Sequence, residues 1–345
     1  MSTRTYLDWN ATSPMREVVK NTISEALDFW GNPSAIYQEG RVAKALIERA
    51  RVSIGSICGF PPEDVIFTSG ATEGAALALR GKDLHASGIE HECVRAWTNT
   101  CLTADRNGLV EIKSPIKSCL QVANGETGVI QAIPRGLHVT DGTQALGKIP
   151  TREIFKQVRI AFISSHKIGG LKGTGALLKK PEVEISPNIR GGGQEYGFRS
   201  GTENVLGIIA FAAALEEADK ELRNGEWERI GELRDLLEEI LLNEVKDMVI
   251  FGRESDRLPN TSYFTASGWK SEHQIINLDL SGFAVSAGSA CSSGKLRSSG
   301  VLEAMGVSSQ LASSAIRVSL GPTSDRDDVL RFARLWIEKL KNNRN

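Results

Sequence analysis

Two short apolar runs, residues 158–163 and 174–178, enclose the stretch Ser164-Ser165-His166-Lys167-Ile168-Gly169-Gly170. Each run has strand length, and Gly169 and Gly170 between them permit a tight turn. Strands this apolar belong in a sheet covered on both faces, which points to an α/β protein. The same layout presents Lys167 at a strand end, beside hydroxyls and an imidazole. A lysine in such a place can be desolvated, which lowers its pKa and lets the neutral amine form a Schiff base. A single lysine after a strand is more often a solvated loop residue, so the rest of the chain has to decide between the two.

The flanking pattern extends the α/β reading. Helical spacing covers residues 14–29 and 42–57, each ended by glycine or a Gly-Asn-Pro cluster. A strand at 64–67 is followed by Thr68-Ser69-Gly70-Ala71-Thr72-Glu73 and a helix to Leu79. Strand, small polar turn and helix offer hydroxyls and backbone N–H groups to a phosphate, although a plain serine or threonine cap has the same appearance. Further strands are expected at 94–97, 109–112, 119–123 and 137–139, with connections too short for a full helix in several places. Two long helices follow at 203–223 and 227–245. After them short strands and helices alternate, and a closing amphipathic helix runs over 325–340. The expected architecture is a large domain, 13–245, with a mainly parallel central sheet flanked by helices. Residues 1–12 and 246–345 would form a smaller α+β domain.

Composition narrows the function classes. The 345 residues carry a formal net charge of -1 with no long charged block, so nothing suggests nucleic acid or an anionic membrane. No apolar run approaches the roughly 18 residues needed to cross a bilayer, and the first ten residues lack a signal-peptide core, so a cytoplasmic protein is expected. Five cysteines without a C-x-x-C pair, and five scattered histidines, support neither a disulfide framework nor a metal site.

Against that background the order of polar residues carries the chemistry. Asp141, Gln144 and Lys167 follow consecutive expected strands and would converge at the C-terminal edge of one sheet, where α/β folds bind ligands. A carboxylate at Asp141 suits a protonated pyridine nitrogen, as pyridoxal phosphate requires, while a turn aspartate is an equally common explanation. Ala71, Thr72, Ser164 and His166 could hold a phosphate, and His91 could lie over the ring. Near the C-terminus Cys291 stands inside Ser286-Ala287-Gly288-Ser289-Ala290-Cys291-Ser292-Ser293-Gly294, a run that reads as an exposed loop presenting a candidate nucleophile.

Taken together, these motifs resemble the cysteine desulfurase family within the class V aminotransferase superfamily of fold-type I pyridoxal-phosphate enzymes. The resemblance runs from Tyr6-Leu7-Asp8 and Gly31-Asn32-Pro33-Ser34 through His166-Lys167, Gly191-Gly192-Gly193-Gln194-Glu195 and Arg199-Ser200-Gly201-Thr202-Glu203-Asn204 to Arg317-Val318-Ser319-Leu320-Gly321. It implies that Lys167 anchors pyridoxal 5'-phosphate, with Asp141 on the pyridine nitrogen and Gln144 on the ring hydroxyl. It also implies that His91 stacks on the ring and moves protons, while Ala71, Thr72, Ser164 and His166 hold the phosphate. Thr202 would reach the neighbouring subunit's phosphate, making a homodimer the working unit. Arg317 would grip the carboxylate of L-cysteine through a bidentate fork, with Asn10 and Asn124 as further substrate contacts. Cys291 would take the sulfur as a persulfide and pass it to an acceptor or scaffold protein of iron–sulfur cluster assembly or thiolation.

Some positions depart from the family pattern. Gly125 replaces an asparagine, Tyr196 an arginine, Leu171 a proline and Gly300 a histidine, and the chain is short between His91 and Lys167. A selenocysteine lyase or an aminotransferase of the same class would keep Lys167 and Asp141 without needing Cys291. A weakly active scaffold or regulatory partner of a sulfur-transfer complex is the third reading.

Overall fold

The computed structural model describes residues 4–288 and 299–344. Its central sheet places the strands in the order Val65–Thr68, Gly175–Lys179, Ile160–Ser164 and Val139–Asp141. Only Gly175–Lys179 runs against its neighbours. All four strands are buried throughout, which is why their sequences lack the alternation of a half-exposed strand. Beyond Val139–Asp141 the sheet continues through an extended segment at 118–122. There Leu120 N–H donates to Val139 O at 3.1 Å and Val122 N–H to Asp141 O at 2.8 Å. Cys119 N–H donates in turn to His85 O, and the parallel pair His85–Ser87 and Asn99–Leu102 completes the edge.

The helices Gln38–Cys58 and Val205–Arg223 cover one face of this sheet, sharing a core with Phe67, Val122 and Ile163. The helix Ala71–Leu79 covers the other face, against Ile66, Val139 and Phe162. Most expected elements fall within a few residues of their observed bounds. Two do not. Residues 94–97, expected as a strand, belong to the one-turn helix Glu92–Arg95 and its end, because His91 caps that turn through its own ring. Residues 109–112 contribute only a single bridge, between Ala104 and Val110. Short apolar runs leave helix and strand undecided, and here a local cap settles the matter.

A second core gathers the antiparallel strands Val249–Ile250, Thr261–Thr265 and Ile316–Ser319 with the helices Ser271–Leu280 and Arg326–Arg344. The helix Glu226–Glu244 joins it, burying Trp227, Ile230, Leu237 and Leu241 there. The sequence reading places that helix at the end of the large domain, 13–245, and its buried side chains also pack into the second core. Leu7 belongs to this second core too, and Thr5–Tyr6 pairs with Phe283–Ala284. Among the described residues no helix is long and apolar enough to cross a membrane.

One buried ion pair fixes the sheet edge. Arg51 and Glu195, 3% and 2% exposed, meet in a bidentate pair at 2.8 Å, and Glu195 also accepts from Phe67 N–H at 2.8 Å. Arg51 donates to Val65 O as well and stacks against Phe67 and Tyr196. The pair holds Glu195 and Tyr196 in left-handed backbone conformations that side chains seldom adopt. Removing one partner strands a buried charge. Glu195→Ala should therefore lose about 3–5 kcal/mol in urea denaturation, and the apolar double variant Arg51→Met with Glu195→Leu should recover most of it.

Candidate active site

Lys167 sits in a tight turn, Ser165–Ile168, closed by Gly169 in the left-handed region at φ 81°. The N-terminal segment straps this turn. Ser13 N–H donates to His166 O and Ser13 Oγ to Lys167 O, while Arg16 Nε donates to Ile168 O. The Lys167 ammonium donates to Asn10 O at 2.7 Å and to Ala11 O at 2.9 Å. The lysine is thus a held residue aimed across the sheet edge, not a solvated loop side chain.

Lys167 opens onto a cavity of 550 Å³ that also receives Asp141, Gln144, His91, Thr72, Ser164 and His166. Ala71 lines it at the first turn of its helix, beside Gly70. Gly70 has a φ of 149°, and a Cβ on the neighbouring Gly175 would stand 2.7 Å from its Cα, so the phosphate-type turn depends on both glycines. Asp141 is buried at its strand end and accepts from Thr143 N–H at 2.8 Å. Burial pushes its pKa up, against the pull of Thr143, His91 and Lys167. His166 bonds Thr12 Oγ1 through Nδ1, and burial beside Lys167 and Lys172 lowers it to about 4, so it is neutral near pH 7. His91 accepts from Cys93 N–H at Nδ1, and Cys93 Sγ lies 3.0 Å from the same nitrogen. That fixes Nδ1 as the acceptor and puts the ring proton on Nε2.

The substrate side differs from expectation. Asn10 is 1% exposed and its amide is spent inside the protein: Nδ2 donates to Thr261 Oγ1 and Gly125 O, and Oδ1 accepts from Lys148 and Asn260. Asn124 is equally committed, donating to Ile89 O and accepting from the N–H groups of Glu126 and Thr127 to build a turn. Arg317 lies on the strand Ile316–Ser319, 3% exposed, with Nη2 on Asp8 at 2.7 Å and Nη1 on Gly125 O at 2.9 Å. Both terminal nitrogens thus have protein partners, while Nε is buried without one among the described residues. A side chain at Gly125 would stand 3.2 Å from Gln144 Nε2, so the glycine leaves room for the glutamine.

Thr202 is exposed and does not line the cavity of its own chain. Cys291 lies outside the described residues. Ser299 Oγ donates to Glu126, which lines a second cavity of 140 Å³ that shares His91, Gln144 and Lys167 with the first, and a Cβ added at Gly288 would stand 2.9 Å from the same carboxylate. Among the described residues no cluster of three or more His, Cys, Asp or Glu could hold a metal.

Two buried ionisable groups escaped the sequence reading. Lys148 Nζ donates to Asn10 Oδ1 at 2.7 Å and Gln144 Oε1 at 2.9 Å. Burial, with Lys167 and Arg317 nearby, pushes it well below the usual lysine range. Its only signal was its position four residues after Gln144. Glu90 accepts from Gln121 N–H through Oε1, while Oε2 is buried without a partner among the described residues.

Comparison with known proteins places this geometry. The aminotransferase class-V family model matches residues 5–101 and 119–332. Cysteine desulfurase IscS of Dictyoglomus turgidum is 36% identical over 380 residues, covering 99% of this chain and 96% of that one. Cysteine desulfurase IscS 1 of Archaeoglobus fulgidus is 34% identical over 379 residues, covering 98% of each. The solved structure of a NifS-like protein from Rickettsia africae superposes with a TM-score of 0.88 at 31% identity, covering 98% of this chain and 99% of that one. The chain belongs to the class V aminotransferase family and, within it, to the cysteine desulfurases. The unmatched residues 102–118 coincide with the shortened connection ahead of the extended segment 118–122.

Glu90 generates a pH prediction. Burial, with Asp141 nearby, raises its carboxyl from the ordinary 4.5 to about 8, so the folded state holds a proton that the unfolded chain releases. Its contribution to stability is complete below about pH 4.5 and is lost as pH rises through about 8. Glu90→Gln should therefore gain stability relative to the parent as pH increases across that window, read from urea midpoints at successive pH values.

Proposed function

We propose that this chain is a pyridoxal-phosphate-dependent cysteine desulfurase that converts L-cysteine to L-alanine and takes the sulfur on Cys291. The observation that carries the reading is the placement of Lys167 and Asp141 in one cavity, on neighbouring strands of a sheet shared along its whole length with cysteine desulfurases.

The residues present fit the cofactor. Asp141 is a buried acid that accepts from Thr143, and a cationic ring nitrogen would favour its ionised form. Ala71, Thr72, Ser164 and His166 would hold the phosphate, and Gln144 the ring hydroxyl. When bound, pyridoxal phosphate supplies an electron sink for the carbon next to the substrate nitrogen.

The protein's own groups supply the proton handling. Lys167, once released from the Asn10 and Ala11 carbonyls as a neutral amine, takes the α-proton at Nζ. His91 offers its Nε2 proton on the cavity side, because Cys93 N–H occupies Nδ1. Neutral His166 adds no positive charge beside Lys167. The thiolate of Cys291 attacks the substrate sulfur, leaving a persulfide on Cys291 and alanine as product. Ser299, the described residue that follows that segment, donates to Glu126 in the wall of the second cavity.

Two copies would form the working unit, with Thr202 serving the partner's phosphate site. The persulfide would pass to an acceptor or scaffold protein of iron–sulfur assembly or thiolation in the cytoplasm. Incubated with L-cysteine and a reductant, the protein should release alanine and sulfide in equal amounts. Lys167→Ala should fall to background, and Cys291→Ala should lose alanine formation from cysteine. Undiminished alanine from the Cys291→Ala protein would sink the persulfide route.

A further inference from the structure

We propose that Lys148 is a positioning residue for the cofactor site: it turns the Gln144 amide so that the N–H end, and not the carbonyl end, serves the ring hydroxyl. The proposal rests on the pyridoxal-phosphate reading above. Gln144 lines both cavities, whereas Lys148 lines neither and is 2% exposed. The lysine therefore acts through its neighbours and not by touching a ligand.

The backbone brings the two side chains together. Leu146 N–H donates to Gly142 O at 2.9 Å and Ile149 N–H to Ala145 O at 3.1 Å, so the segment 142–149 turns like a helix. Residues four apart then share a face. Gly147 lets this turn sit close to its surroundings: its φ is 69°, and a Cβ there would stand 2.8 Å from Ala218 Cβ and 3.0 Å from Ile168 Cγ2. The segment is thereby seated against the same tight turn that carries Lys167.

Hydrogen-bond chemistry fixes the amide. Lys148 Nζ donates to Gln144 Oε1 at 2.9 Å and to Asn10 Oδ1 at 2.7 Å, while Gln144 Nε2 donates to Asn10 O at 3.0 Å. A flipped amide would set its oxygen against the Asn10 carbonyl and its N–H groups against the lysine donors, so one orientation alone is satisfied. Nε2 carries two hydrogens, of which Asn10 O takes one. The other is left for the cavity, where an N–H donor favours an ionised ring oxygen. Burial, with Lys167 and Arg317 nearby, favours the neutral amine at Lys148, and its two hydrogens match the two oxygens without adding a charge to the site.

The two contacts of Lys148 differ in what their loss would do. Without the amine, Asn10 Oδ1 keeps Asn260 Nδ2 as a donor at 3.0 Å. Gln144 Oε1 has no second donor among the described residues. The amide would then be held at one end and free to swing, so the loss falls on Gln144.

The test measures calorimetric binding of two ligands to the full-length chain freed of cofactor. One is 4-deoxypyridoxine 5'-phosphate, which keeps the ring nitrogen, hydroxyl and phosphate but cannot bond covalently to Lys167. The other is its analogue without the ring hydroxyl. Lys148→Met should weaken binding of the first about tenfold and of the second less than about twofold. Lys148→Gln, which keeps an amide donor, should lose less, and it carries the same comparison if Lys148→Met does not fold. Combined with Gln144→Ala, Lys148→Met should add no more than about twofold to the loss from Gln144→Ala alone, because nothing remains to be positioned. Unchanged binding, equal weakening toward both ligands, or losses that multiply in the double variant would overturn the proposal. A parent chain that binds neither ligand would overturn the cofactor reading with it. A parent that shows the expected pattern yet forms no alanine from L-cysteine would overturn the desulfurase reading and leave the role of Lys148 standing.

Discussion

Asn10 is the point where the molecule is tied together. Its carbonyl accepts from both Lys167 and Gln144, so one oxygen of the N-terminal segment sets the position of two cavity groups. Its amide meanwhile reaches Gly125 O in the large unit and Asn260 and Thr261 in the second sheet, and accepts from Lys148. Every polar atom of the side chain is satisfied at almost complete burial. Such a network resists change because removing any member leaves the others unpaired in a medium that cannot hydrate them. The segment therefore behaves as a clamp between the lysine turn and the second core, to which Leu7 contributes its apolar side chain.

The clamp also explains how positive charge is tolerated around the cavity. Lys148, Lys167 and Arg317 stand close enough to influence one another, and Lys148 responds by favouring its neutral form. Arg317 is balanced by Asp8, and Lys167 is held by two carbonyl oxygens. On the opposite wall burial raises the pKa of both Asp141 and Glu90, and nearby Asp141 adds to the shift at Glu90. The resulting cavity has acidic and basic walls that hold few uncompensated charges. An incoming cationic ring and anionic phosphate would change that balance, drawing Asp141 toward its ionised form.

Much of this arrangement was legible from residue order. The strand, turn and strand around Lys167 were readable because residues 158–163 and 174–178 are mainly apolar, Arg159 and Thr174 excepted, and Gly169 and Gly170 lie in the turn between them. Asp141 and Gln144 followed from their place after a neighbouring strand. What escaped was set by contacts remote in sequence. The sequence reading names Arg317 as a substrate fork, and a single sequence gives no sign that Asp8, 309 residues away, pairs with one of its terminal nitrogens. Asn10 and Asn124 looked like polar contacts for a ligand because nothing local reveals that their amides are used up by Thr261, Lys148 and the 124–128 turn. The helix Glu92–Arg95 was misread as a strand because four residues are too few for periodicity, and the capping atom belongs to a histidine expected to serve the cofactor.

That capping histidine links the short chain to its site. A one-turn helix has almost no stability of its own, since nucleation costs more than one turn of hydrogen bonds returns. Glu92–Arg95 persists because His91 Nδ1 accepts from Cys93 N–H at its start and because Cys93 and Val94 bury their side chains beneath the sheet edge. The cap and the cavity group are the same ring, so orienting His91 and forming the helix are one event. Where a longer helix could hold its ends independently, this one transmits the histidine's orientation directly to Arg95, three residues past Glu92 and at the cavity mouth. A single turn of backbone thus couples the orientation of His91 to that of Arg95, both of which line the second cavity.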